Sequence, residues 1–164
     1  MDPRRVLLLL TAVWVLCWTA SARADRFIVR GVELTTPDEG WGLQEKGAVS
    51  DLADENGGAR IEVFRVKQVP AAETKAFAKW LRELKTTHPA EMEVTKAAEH
   101  EQHGLKGVMA EGTAKDAEGK AVRLRMVVLP VGDKAVVARA IIREDDAEKL
   151  QKEVGEILGT MQPK

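Results

Sequence analysis

Two histidines in an acidic segment form the arrangement in this chain best suited to binding a metal. His100 and His103 lie in the sequence Glu99-His100-Glu101-Gln102-His103, and zinc accepts both imidazole and carboxylate ligands. The spacing is not the H-E-x-x-H of a zinc protease, whose histidines are four residues apart on a helix. On a strand, a three-residue spacing sends the rings to opposite faces, so a shared metal requires a turn. The alternative, a polar loop or strand edge, is favoured because structural zinc sites have four ligands.

Catalytic nucleophiles are scarce in this chain. Residues 25–164 contain Ser50 as their only serine and have neither cysteine nor tyrosine, because the one cysteine, Cys17, lies near the N-terminus. Ser50 has no nucleophile-elbow motif around it, which argues against acyl-transfer chemistry. Gly57 and Gly58 lack the lysine and helix that follow a phosphate-binding loop. We therefore predict a protein that is not an enzyme and holds no cofactor.

Three side chains are candidates for binding a partner. Trp41 lies between Gly40 and Gly42, where an aromatic ring can be exposed for recognition. The alternative, which we favour, is that a tryptophan beside a turn closes the end of a core. Arg123 and Arg125 share one face of a predicted strand and can meet an acidic partner, although a half-covered sheet ordinarily carries charges on its outer face.

The charges of the chain are nearly balanced. There are 25 Lys and Arg residues against 26 Asp and Glu residues, a formal net charge of −1, and no basic stripe. Neutralising nucleic-acid phosphates requires clustered Lys and Arg. The composition therefore predicts that nucleic acid is not a partner.

The N-terminal segment has the pattern of an export signal. Arg4 and Arg5 form a basic region, residues 6–18 are almost entirely apolar, and Ala22-Arg23-Ala24 fits a signal-peptidase site. The apolar run falls short of the roughly 20 residues that a spanning helix needs, which disfavours the alternative of an uncleaved anchor. We predict a signal peptide over residues 1–24, export to the periplasm or the exterior, and a mature protein that does not span the membrane.

Residues 25–164 predict a single α+β domain. Period-two alternation and turn residues predict strands, and three- and four-residue apolar spacing predicts two helices. The predicted strands cover 26–34, 42–50, 60–69, 92–98, 105–114, 122–129 and 135–142, and the predicted helices cover 71–85 and 145–161. A hydrophilic loop is expected at 51–58 and a hairpin turn at 116–119. Because hairpin turns join the later strands, an antiparallel β-sheet covered by helices is the simplest fold that these elements predict.

Several local patterns resemble the PsbP-like family. They are the segment from Val32 to Trp41 with its Pro-x-x-Gly-Trp ending, the strand 59–66 that leads into a helix bearing Phe77, Trp80 and Leu81, Gly104 before a hairpin pair, and the closing residues 157–161. The resemblance implies an α/β/α sandwich, shared with extrinsic photosystem II subunits, a Ran-binding nucleotide-release factor and bacterial exported proteins. A cystatin-like sheet wrapped on one helix is the alternative fold.

The resemblance also implies a function, because characterised members of that family act by binding and organising larger assemblies. The leading hypothesis is an exported, non-enzymatic binding or assembly module of the cell envelope or secretome, with a protein partner. A metal-binding protein or metal-assisted hydrolase that uses His100, His103 and Glu99 or Glu101 is one alternative. A cystatin-like inhibitor is the other.

Overall fold

The computed structural model describes residues 24–37 and 39–164. The predicted signal peptide, apart from Ala24, lies outside the described residues. No helix of the described ranges is long and apolar enough to cross a membrane.

In the described part of the chain, ten strands form two antiparallel sheets and two α-helices pack with them. The large sheet has seven strands in the order β3-β4-β5-β9-β8-β7-β6, and the small sheet has the order β1-β2-β10. The strands are β1 Arg26–Val29, β2 Val32–Thr35, β3 Trp41–Lys46, β4 Val49–Asp54, β5 Ala59–Val66, β6 Ala90–Gln102, β7 Leu105–Lys115, β8 Ala121–Val131, β9 Lys134–Arg143 and β10 Gln162–Pro163; the helices are α1 Thr74–Glu83 and α2 Ala147–Gly159.

The two helices cover opposite faces of the large sheet. Strand side chains alternate between the faces. On β5, for example, Ile61 and Val63 belong to the core that contains the buried residues of α2, whereas Phe64 and Val66 belong to the core that contains Phe77 of α1. The large sheet therefore lies between two helical layers, as the predicted α/β/α sandwich requires. The cystatin-like alternative is not the observed fold, because α2 builds one of the two cores rather than lying outside the fold as an appendage.

Strand β9 is central in the sheet, as its nearly continuous apolar sequence predicts. It pairs with β5 on one side and β8 on the other, and every residue from Ala135 to Ile142 is buried. Full burial of a Val, Ile or Leu side chain contributes about 1.5–3 kcal/mol. Because β9 is covered on both faces, a charged residue within it must find all of its partners inside the protein.

The segments that carry the family resemblance meet in space. Thr160, just after α2, accepts a hydrogen bond from the Thr35 backbone N–H at 2.8 Å and donates to the Ile157 carbonyl oxygen at 2.6 Å. Gln102 at the end of β6 donates to the carbonyl oxygens of Leu158 and Met161 at 2.8 and 2.7 Å. These bonds attach the C-terminal end of α2 to the small sheet and to an edge of the large sheet.

Several predicted boundaries were wrong. The strand expected at 42–50 is two strands, β3 and β4, joined by a turn at Gly47, whose φ angle is 62°. The strand expected at 26–34 is interrupted by a turn at Arg30 and Gly31, whose φ angles are 53° and 86°. The hydrophilic loop expected at 51–58 is strand as far as Asp54, because Asp51 is buried and forms an ion pair with Lys46. The helix expected from residue 71 begins at Thr74, because Glu73 before it has an extended backbone.

Candidate functional site

One arginine is buried in the middle of the apolar strand β9. Arg139 is 1% exposed. Its Nε and Nη2 atoms donate to Glu62 Oε2 at 2.8 and 2.6 Å, and Nη2 also donates to the Thr87 carbonyl oxygen at 2.7 Å. The guanidinium carbon lies 5.4 Å from the centre of the Phe64 ring. The charge is therefore compensated by an ion pair, hydrogen bonds and an aromatic face.

His88 completes this buried cluster. Its Nδ1 atom lies 2.9 Å from Nη1 of Arg139, and its Nε2 atom lies 3.3 Å from the carbonyl oxygen of Leu84. An arginine can only donate, so Nδ1 accepts, and Nε2 carries the proton that it donates to Leu84. Burial, followed by the charge of Arg139, lowers the pKa of His88 below its ordinary value of 6.5. The cluster of Arg139, Glu62 and His88 thus contains a neutral histidine.

A cleft of about 460 Å³ opens beside this cluster. We call it the arginine cleft; it lies between the loop before β6, the turn before β5 and the turn between β7 and β8. Its lining residues are Ala53, Gly57, Gly58, Ala59, Arg60, Glu62, Thr87, His88, Pro89, Ala90, Lys115, Asp116, Ala117, Glu118, Val122, Ile141 and Arg143. The lining therefore combines small apolar side chains with charges of both signs.

Two arginines of the cleft have N–H groups that can donate hydrogen bonds to a ligand. Arg60 and Arg143 lie on the same face of the β5–β9 pair, because Arg60 is opposite Ile141 and Arg143 is two residues further along. Arg60 forms ion pairs with Glu62 at 3.1 Å and with Asp51 at 3.9 Å, and Arg143 forms one with Asp116 at 4.0 Å, yet neither guanidinium group donates a hydrogen bond of good geometry to another described residue. Both side chains are close to half exposed, at 46% and 43%. A planar guanidinium group that is half exposed and donates no hydrogen bond can bind a carboxylate through two of its N–H groups.

Asp116 is held at the wall of the cleft by its own turn. Its Oδ1 atom accepts hydrogen bonds from the backbone N–H groups of Glu118 and Lys120, both at 2.9 Å. The bond from Lys120, followed by that from Glu118 and the charge of Arg143, lowers the pKa of the Asp116 carboxyl. Its Oδ2 atom is buried and has no hydrogen-bond partner among the described residues.

The structure places His100 on β6 and His103 in the turn that follows. The chain turns at His103 and Gly104, whose φ angles are 50° and 75°. A metal shared by the two rings would require such a turn. His100 Nε2 lies 2.8 Å from Gln102 Oε1 and His103 Nε2 lies 3.3 Å from the Gly159 carbonyl oxygen, so both Nε2 atoms act as donors. Within residues 24–37 and 39–164, no three His, Cys, Asp or Glu residues are grouped to hold a metal. The metal site stays a prediction.

Trp41 is part of the α2-side core. It is 4% exposed, and its Nε1 atom donates to Glu153 Oε1 of α2 at 2.7 Å. This is the core-closing position that we favoured from the sequence. A partner-binding role for Trp41 stays a prediction.

Arg123 and Arg125 lie on the α2 face of β8, but in different surroundings. Arg123 Nε is 3.8 Å from Glu144 Oε1, and the side chain is half exposed. Arg125 is half-buried: its Nη2 atom donates to Met109 Sδ at 3.9 Å, and a Cβ at Gly155 would lie only 2.9 Å from its Nη1. Only Arg123 is exposed enough to meet a partner without rearrangement, and its role in binding also stays a prediction.

Sequence reasoning missed the buried cluster. Arg139 is the one charged residue inside the otherwise apolar run from 135 to 142, and this was a usable signal. Glu62 lies on a strand with both faces covered, which also demands a partner. His88 had no such signal, because its contact with Arg139 depends on the path of the loop after α1.

The fold matches solved structures at low sequence identity. Cyanobacterial PsbP (CyanoP) from Synechocystis sp. PCC 6803 matches with a TM-score of 0.61 and 12% identity over 87% of this chain and 94% of that chain. The Ran-binding protein Mog1p of Saccharomyces cerevisiae matches with a TM-score of 0.55 and 11% identity over 87% and 96%. LpqN, involved in cell envelope biogenesis of Mycobacterium tuberculosis, matches with a TM-score of 0.52 and 18% identity over 86% and 91%.

These matches show that the chain has the PsbP-like fold, as its sequence resemblance implies. A structure from Bacteroides thetaiotaomicron matches with a TM-score of 0.55, and this chain spans 48% of its length. No protein-family model matches the sequence, and no curated protein matches it. At these identities the likeness concerns the fold, so function must be argued from the site.

Proposed function

We propose that this protein is an exported, non-enzymatic binding or assembly module of the cell envelope or secretome, and that it holds its protein partner at the arginine cleft. Two solved structures of this fold bear names that suit a binding role: one is a Ran-binding protein, and another takes part in cell envelope biogenesis. Export rests on the predicted signal peptide over residues 1–24.

The observation that carries the cleft proposal is the pair of guanidinium groups without hydrogen bonds beside an apolar floor. Arg60 and Arg143 flank Ile141 on the exposed end of the β5–β9 pair, and Val122 and Pro89 line the same cleft. A carboxylate of the partner would accept charge-assisted hydrogen bonds from the two arginines. Small residues beside that carboxylate in the partner would cover the apolar floor of the cleft.

The buried cluster prepares one wall of this cleft. Arg139 bonds Thr87 and His88, which lie in the loop that forms the wall, and it is itself anchored by Glu62 in the sheet. A wall fixed before binding reduces the entropy lost on association. Acyl-transfer chemistry, which the sequence argues against, gains no support, because Ser50 is fully buried and hydrogen-bonded to Arg30 and Glu45.

Site-specific photocrosslinking tests the proposal with a matched control. Ala90 and Ala98 are both exposed alanines of β6, but Ala90 lines the cleft and Ala98 does not. A photoreactive amino acid at Ala90 is expected to crosslink one defined partner in the native cells, whereas the same group at Ala98 is not. Equal crosslinking at both positions, or none at either, would contradict the proposal.

A further inference from the structure

Within residues 24–37 and 39–164, one edge of the large sheet has no strand paired to it. Strand β3 pairs with β4 through all six residues from Trp41 to Lys46 without a bulge, and every residue after Trp41 is exposed. The outer side of an edge strand presents unpaired N–H and C=O groups, which can pair with another chain.

The opposite edge is protected. Strand β6 has register shifts between Ala90 and Glu93 and between Val94 and Lys96, and such irregularities twist an edge away from a flat partner. Helix α1 also reaches this edge, where Thr74 Oγ1 accepts a hydrogen bond from the Ala97 backbone N–H at 3.1 Å. Strand β3 has no such bulge; helix α2 is hydrogen-bonded to it at its first residue, Trp41, and its charged residues, Glu45 and Lys46, lie at its other end.

The hydrogen-bond pattern identifies which residues of β3 face outward. The Glu55 N–H donates to the Gly40 carbonyl oxygen at 2.8 Å, so Gly40 and Glu55 form a hydrogen-bonded pair that continues the β3–β4 register. In an antiparallel ladder, hydrogen-bonded and non-hydrogen-bonded pairs alternate. The backbone groups of Trp41, Leu43 and Glu45 therefore point away from β4.

Leu43 lies at the centre of these outward-facing residues. It is 37% exposed, and among the described residues it is one of two large hydrophobic side chains classed as exposed, the other being Ile28. An apolar side chain at the middle of an open edge is the reverse of the charge that commonly protects such edges.

We propose that a second copy of this chain pairs antiparallel with β3 about a two-fold axis at Leu43. Identical strands paired antiparallel are related by two-fold symmetry, the commonest symmetry of soluble dimers. This register places Leu43 opposite the Leu43 of the second copy, and it places Trp41 opposite Glu45. The outward-facing groups of all three residues then form hydrogen bonds in both directions.

The exposed side chain of Leu43 favours this register over its neighbours. If outward-facing residues must pair with each other, the two-fold axis can move along the strand only in steps of one residue. An axis at Glu45 brings two carboxylates directly opposite, which is destabilising. An axis at Gln44 places Leu43 opposite Glu45. Only the axis at Leu43 covers the exposed leucine with its own copy.

Disulfide trapping tests the proposed axis, since a cysteine at Leu43 would lie directly opposite itself. Cys17→Ser removes the one native cysteine, whether or not residues 1–24 are cleaved. In this background, Leu43→Cys is expected to form a disulfide-linked dimer under mild oxidation. Gln44→Cys is the matched control, because its side chain points to the other face and has Gly42 opposite it. We expect Leu43→Cys to react roughly tenfold faster or more, because pairing raises the effective concentration of the two thiols. Equal rates would overturn the proposal.

Sedimentation supplies an independent measurement without cysteine. The wild-type protein is expected to show a concentration-dependent dimer, and Leu43→Asp, which places two carboxylates at the axis, is expected to sediment as a monomer while keeping its circular dichroism spectrum. Gln44→Asp should retain the dimer. A wild-type protein that is monomeric throughout the measured concentration range would overturn the proposal.

Discussion

The buried Arg139 links strands β5 and β9 to the loop after α1. Its guanidinium group forms an ion pair with Glu62 and donates hydrogen bonds to His88 Nδ1 and to the Thr87 carbonyl oxygen. Removing one member of such a cluster leaves the others without partners, whereas an apolar replacement of the whole pair can be tolerated.

Replacing Arg139 alone should therefore be costly. We expect Arg139→Met to lower the free energy of unfolding by about 3 kcal/mol, because it leaves the Glu62 carboxylate without its buried partner. Urea unfolding measures this change. The double variant Arg139→Met, Glu62→Leu should recover part of the loss, and a loss under about 1 kcal/mol for the single variant would contradict the assigned role.

His88 should make stability depend on pH. Because its pKa in the folded protein lies below 6.5, the unfolded chain binds more protons between the lowered pKa and 6.5. The His88 contribution is therefore complete above 6.5 and is lost as the pH falls through the lowered pKa. Urea unfolding at a series of pH values should show this loss for the wild type and not for His88→Gln. A flat wild-type profile across this window would contradict a neutral, half-buried His88.

At the scale of elements, the sequence was most informative where one physical signal dominated. The apolar run of β9, the alternation on β8 and the apolar stripe of α2 each predicted an element that the structure contains. Boundaries failed where a single residue decided them: the left-handed φ angles of Arg30 and Gly31 divide β1 from β2, and no periodicity records such a turn.

A glycine of β7 permits the irregular edge of β6. A Cβ at Gly112 would lie 2.2 Å from the Glu93 carbonyl oxygen, at the point where the β6–β7 register shifts. We expect Gly112→Ala to destabilise the fold by about 2 kcal/mol or more, because backbone atoms rather than a flexible side chain must move. Gly42→Ala is the matched control, since its Cβ has no neighbour within 4 Å. Equal thermal midpoints for the two variants would contradict this role of Gly112.

At the scale of the whole molecule, the α/β/α sandwich could be anticipated from the hairpin connections and the local resemblance together. The candidate site could not, because the arginine cleft collects residues from five separate parts of the chain. Arg60 and Arg143 are distant in sequence and become neighbours only through the β5–β9 pairing. Local spacing, which drew attention to His100 and His103, carries no information about such long-range pairs.

Export has a direct molecular test. We expect the protein isolated from its native cells to begin at Asp25, because signal peptidase cuts after the small residue of Ala22-Arg23-Ala24. Intact-mass measurement of the isolated protein determines its N-terminus. A chain that retains residues 1–24 would contradict the predicted signal peptide and favour the anchor.

The central claim is that a partner occupies the arginine cleft, and one measurement tests it most directly. A photoreactive group at Ala90 should crosslink the partner in the wild-type background and lose most of that crosslink when Arg60→Gln and Arg143→Gln are combined. Arg82→Gln, which changes an exposed arginine on α1 outside the cleft, should leave the crosslink intact. An Ala90 crosslink that is unaffected by the loss of both cleft arginines, or no crosslink in the wild type, would contradict the account.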